Sequence, residues 1–300
     1  MSDTVRSGFV AFVGRPNAGK STLANALVGQ KVSITSDTPQ TTRYRLRAVI
    51  DREDAQIVIV DTPGLHKPHD VLGEQLNRSA LMALADVDVA CFCLDATKAV
   101  GSGDAWVAAH LARCGATTVL VVTKADIASP EQIRSQLRAG ADLLPFEHQA
   151  VVSALTGAGV CELADVLVSL MPEGPRYFPR DMRTDQPLDV MIAEFVREKV
   201  LRATFDEIPH AVGVVVEDLE FDERADLARI AATVYVERES QKGIVIGRGG
   251  ELIKRVGIEA RGDLERLLGM RVYLDLRVKV KRDWRRDAAQ IRRFGYGEGL

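Results

Sequence analysis

The chain's 300 residues, 46% hydrophobic and 27% charged, suffice for about two globular domains and exclude disordered and fibrous classes. The formal net charge of −3 conceals an asymmetry, since residues 241–300 carry 15 Lys+Arg against 8 Asp+Glu, a balance of +7, leaving −10 for residues 1–240. A basic end on an acidic body points to a polyanion partner, most simply nucleic acid, with a solvated basic face as the plainer alternative.

Cys91, Cys93, Cys114 and Cys161 fall within apolar patterns and lack metal-ligand spacing, so they read as buried thiols of a reducing compartment. There is no signal-peptide pattern, and no run reaches the about 18 apolar residues of a spanning helix. These features predict a cytoplasmic protein, at most peripheral on a membrane.

From Phe9 to about Leu170, short apolar runs alternate with amphipathic stretches, which predicts a parallel sheet covered by helices. The runs are "FVAFVG", "QIVIVDTPG", "VDVACFCLDA", "TTVLVVTKAD" and "HQAVVSAL". Each is nearly continuous in hydrophobicity, as in strands buried on both faces. Polar residues or glycines follow each run at its carboxyl end, where open α/β sheets bind ligands.

The first run leads into "GRPNAGKST", residues Gly14, Arg15, Pro16, Asn17, Ala18, Gly19, Lys20, Ser21 and Thr22, which fits G-x-x-x-x-G-K-[ST] between a strand and a helix. Backbone N–H groups of such a loop make an anion site, Lys20 reaches the β- and γ-phosphates, and Ser21 holds magnesium. In "ITSDTPQTTR", Thr35, Thr38, Thr41 and Thr42 offer hydroxyls to a mobile loop, with Thr41 or Thr42 a further magnesium ligand. Next, "DTPG" supplies Asp61, Thr62, Pro63 and Gly64: Asp61 orients magnesium, and the Gly64 N–H approaches the γ-phosphate. Leu65 follows where Ras-like enzymes carry a water-positioning Gln. "TKAD" (Thr123, Lys124, Ala125, Asp126) and "SAL" (Ser153, Ala154, Leu155) end the next two strands. Asp126 can accept guanine N1–H and the exocyclic amine, and Lys124 can lie over the purine. Lys20, Asp61 and Gly64 are thus the candidate catalytic residues, and the ordered set favours GTP over ATP.

Beyond "MPEGPRYFPRDMRTDQPL", whose four prolines suit a linker, helical spacing from Leu188 to Val200 precedes two strands, "AVGVVVEDL" and "ATVYVERE". "VIGRGGELIK" then places Gly247, Arg248, Gly249 and Gly250 in a G-x-x-G pattern among Lys242, Lys254 and Arg255. A strand-to-helix turn is the cheaper reading of four such residues, whereas an RNA-clamping turn also accounts for the surrounding charge. "RVYLDLRVKVK" alternates strictly, as a half-buried strand with one charged face. Trp284 suits either a base stack or packing at a domain edge, and His66 and His69 suit a polar loop better than a metal.

With "GRPNAGKST", "VSITSDTPQTTRYR", "DTPGLHKP", "TKAD", "SAL", "VERESQKGIVIG", "GIEAR" and "VKVKRDW" in this order, essentially the whole chain resembles the Era GTPases of bacterial ribosome assembly. The resemblance implies an α/β Ras-like P-loop GTPase domain over residues 1–171, a linker over 172–187, an α+β type II KH RNA-binding domain over 188–284 and a tail over 285–300. It implies GTP/GDP with Mg²⁺ as cofactors, slow hydrolysis, and K⁺ held through Asn17, although an ordinary loop residue explains Asn17 equally well. Its implied partners are the 3′ end of small-subunit ribosomal RNA and the small ribosomal subunit, with the protein monomeric and peripheral on the inner face of the cell membrane. Thr123 departs from the Asn of many relatives, and a hydroxyl reaches less far than an amide. The competing readings are a passive RNA-binding module stabilised by nucleotide, and a tRNA-modification GTPase, whose terminal cysteine motif is missing from "RRFGYGEGL".

Overall fold

The structure is a computed structural model that describes residues 5–36, 38, 41–43, 46–65, 70–206 and 208–296. They form two compact units, the first made of residues 5–35, 41–65 and 73–185 and the second chiefly of residues 186–296. In the first unit the elements run β1 (Val5–Val13), α1 (Lys20–Val28), β2 (Leu46–Asp51), β3 (Ala55–Asp61), α2 (Val71–Ala85), β4 (Val89–Asp95), α3 (Ser102–Leu111), β5 (Thr117–Thr123), α4 (Pro130–Ala141), β6 (His148–Val151), α5 (Val160–Leu170) and β7 (Glu173–Gly174). Sheet order is β2-β3-β1-β4-β5-β6, parallel except for β2, and β7 pairs antiparallel with the start of β1.

Burial on both faces explains the unbroken hydrophobicity of the central strands, since all seven residues of β3 and of β4 are buried. Alternate side chains of one strand enter different cores: Val10, Phe12, Cys91 and Cys93 in one, Ala11, Val13, Phe92 and Leu94 in the other. The edge strand β2 has no counterpart among the sequence-predicted strands. Its apolar run is short, and its hairpin with β3 is antiparallel.

The proline-rich stretch lies bonded along the first unit as far as Asp185. Gln56 Oε1 accepts from the N–H groups of Tyr177 and Phe178 at 2.7 and 2.9 Å, Val49 N–H donates to the Arg183 carbonyl at 2.8 Å, and Arg47 pairs with Asp185 at 3.0 Å.

The second unit contains α6 (Leu188–Ala203), α7 (Ile208–Ala211), β8 (Gly213–Asp222), β9 (Leu227–Val236), α8 (Glu239–Ile246), α9 (Glu251–Leu268), β10 (Arg271–Val280) and α10 (Ala288–Arg293). β9 lies between an antiparallel β8 and a parallel β10. Val272, Leu274, Leu276, Val278 and Val280 turn toward the helices, while Tyr273, Arg277 and Lys279 stay exposed, as strict alternation requires. A buried ammonium, Lys199 Nζ, bridges Glu198 on its own helix and Asp263 on α9, satisfying charges that burial would otherwise penalise.

Of the segment read as a tail, residues 285–296 pack into this unit beside Trp284. Trp284 is fully buried, donates its indole N–H to the Ala211 carbonyl at 2.9 Å, and meets Phe294 edge-on at 4.8 Å, with Tyr296 nearby. Trp284 is therefore a packing residue, closed to a nucleobase. Trp284→Ala should remove about 3–5 kcal/mol from the unfolding free energy of the second unit. Hydrogen exchange should then show lost protection over residues 186–296 and unchanged protection over 5–185; protection retained in both would contradict this role.

Candidate functional site

The loop after β1 is held by close approaches that exclude a side chain. A Cβ on Gly14 would lie 2.5 Å from the Cys93 carbonyl oxygen, and one on Gly64 would lie 2.8 Å from both N and Cα of Pro16. Leu65 N–H donates to the Gly14 carbonyl at 3.2 Å, which fixes the "DTPG" turn to the loop. Asn17 and Gly19 adopt left-handed backbone, with φ 64° and 79°, and α1 begins at Lys20 with no side chain capping its N-terminus. That end therefore keeps its N–H groups for a ligand.

Lys20 is buried and donates to the carbonyls of Arg15 and Gly14 at 3.1 and 3.4 Å. Burial pushes its pKa down, against the charge of Asp61. Asp61 is fully buried, and burial pushes its pKa up, opposed by the neighbouring Ser21 and Ser33 hydroxyls and the charge of Lys20. Its Oδ2 accepts from Ser33 Oγ at 2.8 Å, whereas its Oδ1 is buried without a hydrogen-bond partner. Ser21 Oγ lies 2.8 Å from Thr42 Oγ1. An orphaned carboxylate oxygen near hydroxyls is a donor set suited to a hard cation such as Mg²⁺. Of the two candidate threonines, Thr42 is the one whose hydroxyl meets Ser21. Ser33 was missed at the sequence level, where no signal distinguished it from the other hydroxyls of its loop.

Thr62 Oγ1 donates to the Phe12 carbonyl at 2.8 Å, Pro63 is buried, and Leu65, 1% exposed, belongs to the core on the α2 side. Leu65 thus serves packing, in addition to lacking any group that could orient water.

At the other end of the cleft, Thr123 Oγ1 lies 2.9 Å from the Ala18 carbonyl and 3.1 Å from that of Leu94. The shorter reach of a hydroxyl suffices for the loop contact, because backbone approach at Gly19, whose Cβ would be 3.4 Å from Thr123, brings Ala18 within range. Lys124, itself left-handed at φ 58°, donates to Asp95 Oδ2 at 2.8 Å. Asp95 is a second residue the sequence reading missed. Asp126 Oδ1 accepts from the buried Ser153 hydroxyl at 2.7 Å, and Ala125 N–H reaches the Val152 carbonyl at 3.2 Å. Ala154 is half-buried and Leu155 is 80% exposed. Arg15 turns away from Lys20 to pair with Asp104 of α3 at 2.9 Å, while Thr22 is half-buried on α1.

In the second unit, Gly247, Arg248, Gly249 and Gly250 join two helices, α8 and α9. The strand-to-helix alternative is corrected: the apolar run before the glycines is helical because the capped turn at Arg238–Gln241 starts α8 first. A Cβ on Gly247, at φ 76°, would lie 2.8 Å from Leu252 N, whereas Gly249 and Gly250 face nothing within 4 Å and hold left-handed φ of 61° and 82°. Arg248, Lys254 and Arg255 are exposed around the turn and Lys242 is half-buried. Glycine therefore opens this turn to an approaching anionic backbone at the uncapped N-terminus of α9.

Cys91 and Cys93 are buried, with burial pushing the Cys93 thiol up to about 12, but Cys114 is half-buried and Cys161 exposed, which corrects the expectation for those two. His66 and His69 lie outside the described residues. Among the described residues no three His, Cys, Asp or Glu side chains cluster as a metal site, and no helix is long and apolar enough to cross a membrane.

Residues 9–124 match the family model described as 50S ribosome-binding GTPase, and residues 207–285 match the KH domain model. GTPase Era of Mycolicibacterium smegmatis is 47% identical over 97% of this chain and 99% of its own. That of a Nocardioides species is 50% identical over 97% and 96%. A crystal structure of Era in complex with MgGDPNP and nucleotides 1506–1542 of 16S ribosomal RNA is 37% identical, with TM-score 0.94 over 98% of this chain and 100% of that one. A variant of Aquifex aeolicus Era bound to GDP and AlF4⁻ superposes equally well, with TM-score 0.94.

The Thr123 contacts generate a stability prediction. Thr123→Val keeps the shape but strips the hydroxyl from two carbonyls, and should cost about 1–3 kcal/mol in denaturant unfolding. An unchanged midpoint would show that these contacts carry no stability.

Proposed function

The chain is a GTPase of the Era family, and from that premise we propose that it binds GTP with Mg²⁺, hydrolyses it slowly, and binds the 3′ end of small-subunit ribosomal RNA during maturation of the subunit. The observation that carries the nucleotide half is the buried Lys20–Asp61 pair with its orphaned Oδ1 beside the P-loop. Phosphate oxygens replace the carbonyls that now occupy Lys20, and backbone N–H groups at the start of α1 take the remaining charge. Ser21, Asp61 and Thr42 would hold Mg²⁺, which offsets charge on the transferring phosphate. Asp126, oriented by Ser153, accepts from guanine N1–H and the exocyclic amine, while Lys124 lies across the purine. The Gly64 N–H faces the γ-phosphate. Because Leu65 is committed to the core it gives an attacking water no guide, and Asn17 would help to hold a K⁺ ion, which would supply charge there.

The open G-x-x-G turn with its exposed cations supports the RNA half, by glycine approach to phosphates and by charge. The solved relative bound to 16S ribosomal RNA supports the same target class. The protein acts as a cytoplasmic monomer, peripheral on the membrane at most.

Asp126→Asn should lose affinity for GTP and gain it for xanthosine triphosphate, because the exocyclic group changes from donor to acceptor. An unaltered preference for GTP in competition binding would defeat the Asp126 assignment. For RNA, Arg248→Asp with Gly249→Asp puts two carboxylates where phosphates approach, and should weaken binding of a small-subunit 3′-end oligonucleotide by roughly tenfold or more while GTP binding survives. If GTP favours the RNA-competent state, RNA tightens GTP by the same factor, a coupling of about 1–3 kcal/mol. Titrations with a non-hydrolysable GTP analogue and with GDP read it, and equal RNA affinity in both states would remove the switch.

A further inference from the structure

Asp95 ends β4 directly beside Thr123, the last residue of β5, in register. Its carboxylate is nearly buried, with 7% side-chain exposure, and is held by Lys124 of the "TKAD" segment and by Thr97 and Lys98 of its own loop. Lys124 Nζ donates to Oδ2 at 2.8 Å, while Oδ1 accepts from the N–H and hydroxyl of Thr97 at 2.9 and 2.6 Å. Lys98 approaches the same Oδ2 at 3.9 Å. The neighbouring Ala96 N–H donates to the Thr123 carbonyl at 3.0 Å, so the carboxylate is fixed to the backbone that carries the lysine.

Lys124 is held at both ends. Its backbone sits in the left-handed region, at φ 58° and ψ 37°, between the anchors of Thr123 on Ala18 and Ala125 on Val152. Its ammonium is held by Asp95, and its four-carbon stem must then span the gap between them. A lysine stem left free would have to surrender its rotamer freedom on binding, whereas a stem fixed in advance offers a ready apolar surface to a purine face.

We propose that Asp95 is a positioning residue for the guanine base: it tethers the Lys124 ammonium so that the lysine stem forms a fixed platform for the purine. This rests on the reading of Lys124 as a base contact. Asp95 acts on stacking and not on the hydrogen-bonding edge, so its loss weakens GTP and inosine triphosphate alike and leaves their ratio, set by Asp126, unchanged.

The test is release of fluorescent methylanthraniloyl-GDP from the full chain, measured by stopped flow for wild type, Asp95→Asn, Lys124→Ala, the double variant and Asp95→Glu. Asp95→Asn and Lys124→Ala should each speed release by roughly tenfold or more, as for loss of a charged hydrogen bond. The double variant should release no faster than Lys124→Ala, and Asp95→Glu should recover most of the loss. Wild-type release from Asp95→Asn, with fast release from Lys124→Ala, overturns the tether and leaves the base contact standing. Wild-type release from Lys124→Ala overturns the base contact and the tether with it. Additive effects in the double variant, or a changed ratio of GTP to inosine triphosphate affinity in Asp95→Asn, place the action of Asp95 elsewhere and overturn the inference. Should Asp95→Asn fail to fold, Lys124→Met keeps the stem without the ammonium, and release as slow as wild type overturns the tether.

Discussion

A lysine and an aspartate buried together at the carboxyl edge of a parallel sheet are the constraint around which the first unit is arranged. Burial pushes Lys20 down and Asp61 up, each toward its neutral form, and each is held back by the other's charge. Such a pair is costly to desolvate and leaves an acceptor over, since Asp61 Oδ1 has no hydrogen-bond partner. A bound phosphate chain with its cation relieves both residues at once. The parallel pairing of β1 with β3 sets Phe12 opposite Asp61 and so delivers the carboxylate to the loop that carries the lysine. Without helices on both faces of that sheet the pair would lie in water, and the desolvation that opposes both charges would vanish.

Two glycine loops serve opposite geometries. Around the first, neighbours crowd in on two glycines, the Cys93 carbonyl on Gly14 and Pro16 on Gly64, while Gly19 is set by its left-handed φ of 79°. That crowding ties the loop after β1 to the ends of β3 and β4, and Thr123 carries the contact on to β5. In the second, only Gly247 is crowded, by Leu252, while Gly249 and Gly250 face open space. Glycine there provides backbone shape and access, as a passing polymer strand requires. One residue type thus answers a closed site by sparing volume and an open one by permitting φ near 60–80°.

The second unit buries the aromatic residues that follow β10, while Phe205, Phe221 and Tyr273 stay exposed. Trp284, Phe294 and Tyr296 close its end, and the Tyr235 ring lies tilted against Phe294 with centroids 5.3 Å apart. Arg248, Lys254, Arg255, Arg286, Arg292 and Arg293, by contrast, are all exposed. Most of the Lys and Arg side chains described beyond residue 240 are therefore presented to solvent, while the apolar residues between them supply the core.

What could be read without coordinates follows from local physics. Strands covered on both faces leave unbroken apolar runs, a one-sided strand leaves strict alternation in residues 271–280, and a phosphate loop needs its glycines and lysine at set spacing. Those features identified the α/β unit, the charged-faced strand and the residues Gly14 to Thr22. The helix α8 was hidden because the apolar run Ile244–Val245–Ile246 is too short to show a period. The path of residues 172–185 was hidden because it is held mainly by backbone bonds and isolated polar contacts, which leave no side-chain rhythm. Ser33 against Asp61, Thr123 against Ala18 and Asp95 against Lys124 join residues 28, 105 and 29 positions apart, so nothing nearby in the chain announces them. The sequence by itself determined which chemical groups and which elements exist. Only the tertiary structure decided which oxygen is left unpaired, which leucine turns inward and which carboxylate holds the lysine, because those outcomes depend on strand order and burial between distant segments.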